Sequence, residues 1–393
     1  MEDHSQVILS SRAGLSSRAR LSSRARLSSR AKRGICFFFF FAALTACDRE
    51  TSAPPAEIQP VAHLELDSNR TVEIIGLRQW TAEMVRDSLK KYAPDEGIDS
   101  DAAASNLRNF LGFADAATSV HTIVFDEDDK ATITLAVREP GDSARVHYEP
   151  QTLDTLPQRA EWKEFAQALN DSAGRMAPIV AAAHLDGLSR IVVDSTVRGR
   201  THTHREGYAF ESPSDSLAAM PLLASLAKKK APADYDAAVQ TIESSTSEPD
   251  RAIAALILAN FPERDGAWRA LLKAAVGREQ GRDAFVAQHA LVALSERAAR
   301  PVDWSPSVAT IHNVLDGTAL AALAPLARAL AATGASSAQA PGYLANGGEM
   351  LVAYVESENP DIRDAAHDLL VKLRGEDLGF EPGPWRDWIR TLK

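Results

Sequence analysis

Between Tyr235 and Lys393 four segments repeat one motif: a small residue followed by apolar residues four and seven positions later. Ala254/Leu258/Phe261, Ala287/Leu291/Leu294 and Ala366/Leu370/Leu373 carry it cleanly, and Ala319/Leu323/Leu326 carries it more loosely. At 3.6 residues per turn these positions share one helix face. The small residue lets a neighbouring helix come close, and the Leu or Phe fills the groove beside it. A shorter helical segment precedes each motif, at Tyr235 to Ser244, Gly266 to Val276, Val308 to Leu315 and Gly348 to Glu356. The expected architecture is therefore an α+β N-terminal domain followed by an α-helical solenoid of stacked helix pairs. Aromatic residues make up only 6% of the chain, so its cores are built from Ala, Leu and Val, which suits close helix packing.

Leu258, Leu291 and Leu323 lie 33 and 32 residues apart, and the Gly/Ser/Ala insertion from Gly334 to Gly348 lengthens the step to Leu370. Two helices per unit at this spacing, with the proline-opened Asn359-Pro360-Asp361-Ile362-Arg363-Asp364-Ala365-Ala366, resemble HEAT repeats. That resemblance implies a surface that docks another protein and no catalytic residues. The ending from Leu373 to Ile389 resembles the turn-and-Trp element that closes such arrays, with Trp385 and Trp388 covering the last pair. Pro325 departs from the motif and implies a kink.

Residues 63–212 read as the α+β domain. His63 to Asp67 and Thr71 to Gly76 alternate as strands do, and Gly76 punctuates the second. Thr81 can cap a helix with Met84, Val85, Leu89 and Tyr92 on one face. A second helix from Asp101 to Leu111 buries Leu107, Phe110 and Leu111 and stops at Gly112. Strands follow from Ser119 to Phe125 and from Ala131 to Arg138, joined by the acidic turn Asp126 to Asp129. With the closing Val137-Arg138-Glu139, this order is similar to the POTRA module of bacterial envelope proteins, which implies binding to other chains. Farther on, Gln158 to His184 reads as helical, and two strands, Leu188 to Val197 and Arg200 to Phe210, complete the sheet. The helical domain then takes residues 213–393.

The chain opens on residues 1–46, a leader. Four hexamers from Ser10 to Arg33 (SSRAGL, SSRARL, SSRARL, SSRAKR) have no apolar periodicity. Lys32-Arg33 precedes an apolar run with five consecutive Phe, Phe37 to Phe41, and then Leu44-Thr45-Ala46-Cys47. A basic region, a short apolar region and a small-residue cleavage region make a secretory signal, too short for a permanent span. The tetrapeptide resembles the lipobox of bacterial lipoproteins. By that resemblance the signal is cut between Ala46 and Cys47, and Cys47 carries the acyl chains that anchor the protein to a membrane of the bacterial cell envelope, on the exported side. Two or more chains give lasting anchorage. The chain has two cysteines, so none remains free once Cys36 leaves with the signal and Cys47 is capped. Residues 47–62, polar and carrying Pro54, Pro55 and Pro60, form a tether.

The leader holds eight Lys/Arg and two Asp/Glu, which leaves 35 basic and 51 acidic residues after it. So acidic a chain is expected to bind neither nucleic acid nor anionic lipid by charge. The expected partners are the membrane, through Cys47, and a protein on the helical array. Reactive constellations are sparse. His202-Thr203-His204 puts two imidazoles on one side of a strand and is the best metal candidate, but two ligands do not make a site and Arg200 and Arg205 oppose a cation. His289 and His367 sit inside patterned helices and read as packing residues. The sequence has no Gly-x-Ser-x-Gly elbow, phosphate-cradling loop or His-Glu-x-x-His. No catalytic residue and no cofactor is therefore expected. The alternative is an envelope hydrolase or small-ligand binder with its site in the α+β domain.

Overall fold

The computed structural model describes residues 57–94, 96–100, 102–123, 130–148, 159–171, 192–197, 200–205, 208–213, 225–277 and 281–392; at 120–123, 130, 168–171 and 192–213 the backbone alone is described. It comprises a small mixed sheet with two helices near the N-terminus and a mostly helical C-terminal part. The leader, Ala46, Cys47, the acidic turn and the end of the stretch read as helical to His184 lie outside the described residues.

The first sheet is ordered β1-β2-β4-β3, from β1 (Ala62–Glu65), β2 (Arg70–Ile75), β3 (Asp115–Ile123) and β4 (Lys130–Arg138). β2 and β4 run parallel, and the outer pairs are antiparallel. Helices α1 (Ala82–Tyr92) and α2 (Ala103–Leu111) cover one face. Strand alternation sorts the residues. Val72, Ile74, Ile133, Leu135 and Val137 pack with Val85, Leu89 and Leu107 beneath those helices. The intervening Glu73, Ile75, Thr134, Ala136 and Arg138 are buried as well, and Ile75 and Ala136 belong to the core of the helical part. The sheet is thus a middle layer with both faces covered.

Two expected helix faces shift. Thr81 caps α1 as read, its hydroxyl accepting from the Met84 N–H at 3.3 Å. The buried stripe, however, is Ala82, Val85 and Leu89, while Met84 (47%) and Tyr92 (53%) are exposed. On α2, Leu107 is buried and Phe110 is 58% exposed. Each helix has only one covered side, and that side is narrower than the apolar pattern. The later strands also differ from expectation. β5 (Val192–Val197), β6 (Arg200–Arg205) and β7 (Tyr208–Pro213) form a separate antiparallel meander and do not complete the first sheet. Their ladders close on one another, and β1 and β3 remain the edges of the first sheet.

In the helical part, α3 (Lys163–Asp171) lies on α5, and Trp162, Phe165 and Ala166 join its core. The pairs are α4 (Pro232–Ser244) with α5 (Glu248–Leu258), α6 (Asp265–Ala275) with α7 (Arg282–Arg297), α8 (Val308–Asp316) with α9 (Leu320–Ala332), and α11 (Glu349–Tyr354) with α12 (Pro360–Arg374). The second helices pack in succession, α5 on α7, α7 on α9 and α9 on α12. α9 contains Pro325. The insertion from Gly334 to Gly348 holds a further short helix, α10 (Ala340–Leu344), whose Tyr343 and Leu344 are buried. The closing helix α13 (Pro382–Thr391) buries Trp385, whose indole N–H donates to the Gly379 carbonyl at 2.7 Å. Trp388 packs edge-on against it at 6.0 Å.

Gly76 ends β2 at φ +99°, and a Cβ there would run into the Val137 carbonyl oxygen and the Met350 sulfur. Gly76→Ala is expected to lower unfolding free energy by more than ~1 kcal/mol, since neither the backbone angle nor the space admits a side chain. Urea unfolding of the two proteins measures it.

Candidate functional site

The most concentrated polar chemistry among the described residues lies in the seam where the inner face of the sheet meets the helices. Its first component is a pair of buried carboxylates. Asp115, at the start of β3, accepts the backbone N–H of Leu320 at 2.8 Å and that of Ala116 at 2.8 Å. Leu320 is the first residue of α9, and the preceding Ala319, left-handed at φ +54°, has no side chain able to cap it. An aspartate 205 residues away supplies the acceptor that a helix start needs. The hydroxyl of Tyr148 also bonds Asp115, and Arg108 stands at 3.9 Å. Burial pushes the Asp115 carboxyl above its ordinary range despite these donors. It pushes the Tyr148 hydroxyl up too, helped by the charge of Asp115.

Glu73, on β2, does the same for the next layer. It accepts the Thr134 hydroxyl at 2.5 Å, the Glu358 N–H at 2.8 Å and the Ser357 hydroxyl. Register explains the first bond, because Glu73 and Thr134 are paired across β2 and β4. Asn359 caps α12 by accepting from the Asp361 N–H at 3.0 Å and donates its own amide to Thr134 at 3.2 Å. The proline-opened segment singled out in the sequence thus begins against the sheet.

The second component is a six-membered charge cluster. Arg78 donates to Asp142 at 3.0 Å and also bonds Glu349. Arg145 meets Glu349 at 3.0 Å and Asp316 at 3.4 Å. Arg138 lies among Asp142 (3.6 Å), Asp316 (3.6 Å) and Glu349 (3.9 Å), and none of its guanidinium nitrogens makes a hydrogen bond among the described residues. Three cations thus face three carboxylates. A fourth, Glu139, accepts from three successive backbone N–H groups, those of Arg78 (2.6 Å), Gln79 (2.9 Å) and Trp80 (2.9 Å). Asp316 and Glu349 come from the helices, whereas Arg138 comes from β4, Arg145 from the 3₁₀ turn Pro140–Arg145 and Arg78 from the loop between β2 and α1. Burial drives Asp316 upward in pKa against the pull of Arg138 and Arg145. Burial also opposes the charge of Glu349, but the hydrogen bond from Arg145 and the charges of Arg78 and Arg145 hold it below its ordinary 4.5.

The arrangement positions one layer against another. Its carboxylates are engaged by backbone amides, hydroxyls and guanidiniums. The sequence pattern held a trace of it: Glu73 interrupts an apolar strand, and Arg138 continues the alternation of Thr134 and Ala136.

The residues singled out in the sequence lie elsewhere. His202 and His204 are on β6, opposite Glu211 and Ala209 of β7, and their side chains are outside the described set. Among the described residues no group of three or more His, Cys, Asp or Glu could hold a metal ion. His367 bonds Asp377 at 2.9 Å and stacks on Phe380 at 4.3 Å, and His289 lies 4.4 Å from Phe285. No described helix is long and apolar enough to cross a membrane. No family model, curated protein or solved structure matches the chain.

Asp115→Ala is expected to cost ~1–3 kcal/mol by leaving the Leu320 N–H buried without its acceptor, and Asp115→Asn, which keeps an oxygen there, to cost less. Denaturant unfolding of both variants measures the order. Glu349 has a lowered folded pKa, so its contribution is present above pH 4.5 and is lost as the pH falls through the folded value. Glu349→Gln should therefore be less stable than the parent at neutral pH, with the gap narrowing below pH 4.5 in the same assay.

Proposed function

We propose that this chain is a lipid-anchored protein of the bacterial cell envelope that docks another protein on a HEAT-like array of helix pairs. Cys47 would carry the anchor, and the array would carry the docking surface. The observation that best supports the reading is a set of ion pairs joining the second helices of successive pairs, α5 to α7 and α9 to α12. Arg251 meets Asp283 at 2.7 Å, 32 residues on, and Arg328 meets Asp361 at 2.9 Å, 33 residues on. Arg282 of α7 reaches back to Glu248 of α5 at 3.2 Å, and within the second pair Arg300, just after α7, meets Asp265 of α6 at 2.5 Å. Contacts of this kind tie α5 to α7 and α9 to α12, as a stack of helix pairs requires. In this reading the sheet stiffens one end of the array, and the seam is a structural joint with no catalytic role.

Phe285, His289 and Val292, four and three residues apart on α7, form a half-buried ridge, the first place at which to break docking. Protein captured from detergent-solubilised membranes by the intact chain should be lost from Phe285→Glu/Val292→Glu. The double variant should keep a cooperative unfolding transition. The full chain is required, because removing the sheet would uncap α9. An unchanged partner set on the folded double variant would contradict docking through this ridge.

A further inference from the structure

The chain enters the described structure through a clamp. Ile58 is buried in the core of the helical part. Gln59 donates its backbone N–H to the Leu77 carbonyl at 2.7 Å and its side-chain amide to the Arg78 carbonyl at 2.5 Å. Glu57 meets Arg390 at 3.3 Å and Arg386 at 3.9 Å, both on α13. Residues 57–59 are therefore held between the end of β2 and the last helix. Glu57 lies ten positions after Cys47, a span of at most about 33–36 Å when fully extended.

We propose that α13 faces the bilayer and that the helical layers run outward from it, an orientation that rests on the lipid anchor at Cys47 put forward above. α13 packs on α11, and its Trp385 meets His367 of α12 at 6.0 Å. Beyond α12 come α9, α7 and α5 in turn. At an interaxial spacing of about 8–10 Å, three such steps carry α5 roughly 24–30 Å from α12. The ridge on α7 then stands in the aqueous phase, open to a protein partner.

The surface of α13 fits a zwitterionic headgroup layer. Arg386 and Arg390 are met by Glu57, and Arg390 also by Asp387 at 3.1 Å, so the helix offers little net positive charge to grip anionic lipid. Trp388, half-buried with the Arg374 guanidinium 5.6 Å from its ring, is of the kind that settles at a membrane interface. The entry of the chain beside α13, held by its clamp, sets the orientation, and charge does not.

The test uses the full acylated chain in phosphatidylcholine vesicles that carry a headgroup acceptor dye. Donor dyes are placed singly at Thr391→Cys or Asp236→Cys, both exposed and at opposite ends of the helical part. The expected result is several-fold stronger energy transfer from position 391 than from 236, unchanged when phosphatidylglycerol is added, and a difference that disappears when a long Gly/Ser segment is inserted after Ala53. Equal or stronger transfer from position 236, a difference that needs anionic lipid, or one that survives the insertion would each overturn the orientation. The mass of the N-terminal peptide separates the two readings. An acylated Cys47 with equal transfer sinks the orientation alone, and an unmodified Cys47 on a chain that leaves the vesicles sinks the anchor.

Discussion

Two carboxylates of the sheet, Asp115 and Glu73, accept backbone N–H groups of the helical part, and the joint between the two depends on them. A helix start buried without an acceptor is costly, and Ala319 provides none. The cost is met from another part of the chain, which makes the fold of α9 conditional on the sheet. Ile75, Ala117 and Ala136 add an apolar contribution beside these bonds, but they are few and two of the three are alanines. Polar contacts therefore set how the sheet docks, and the apolar contacts follow from that placement.

The charge cluster beside them has a different character. Arg138 is attracted to three carboxylates and satisfied by none of them, so its burial is held by field rather than by directed bonds. Such a group gives little net stability compared with an apolar replacement of the whole set, yet it strongly penalises any arrangement that separates it from Asp142, Asp316 and Glu349. Gly317 sharpens this, because at φ +111° its missing side chain is what leaves room for the Arg138 guanidinium. The cluster therefore specifies which surface of the sheet meets which helices, while the two carboxylates tie the contact down.

What could be read in the sequence was local. The helix pairs follow from a period of 3.6, and the strands β1 to β4, though not their order in the sheet, follow from a period of two bounded by turn residues. The caps at Thr81 and Asn359 are signalled within three residues of the helices they start. The seam could not be read this way. Its bonds join residues 205 and 285 positions apart, and nothing near Val137-Arg138-Glu139 says that Asp316 and Glu349 will lie beside it. Tertiary coverage, which the apolar pattern does not contain, likewise exposed Phe110 and Met84 and buried Tyr343 in the Gly/Ser/Ala insertion. The same holds for β5 to β7, whose pattern marks them as strands without saying which sheet they join.

Hydrogen exchange at the Leu320 and Glu358 amides of the full chain tests the central claim most directly, because the acceptors of both N–H groups are the sheet carboxylates. If sheet and helices form one cooperative unit, both amides exchange only as slowly as those in the middle of α12, such as Leu370. Fast exchange at Leu320 and Glu358 while Leu370 stays protected would show that the sheet lifts away on its own, contrary to this account.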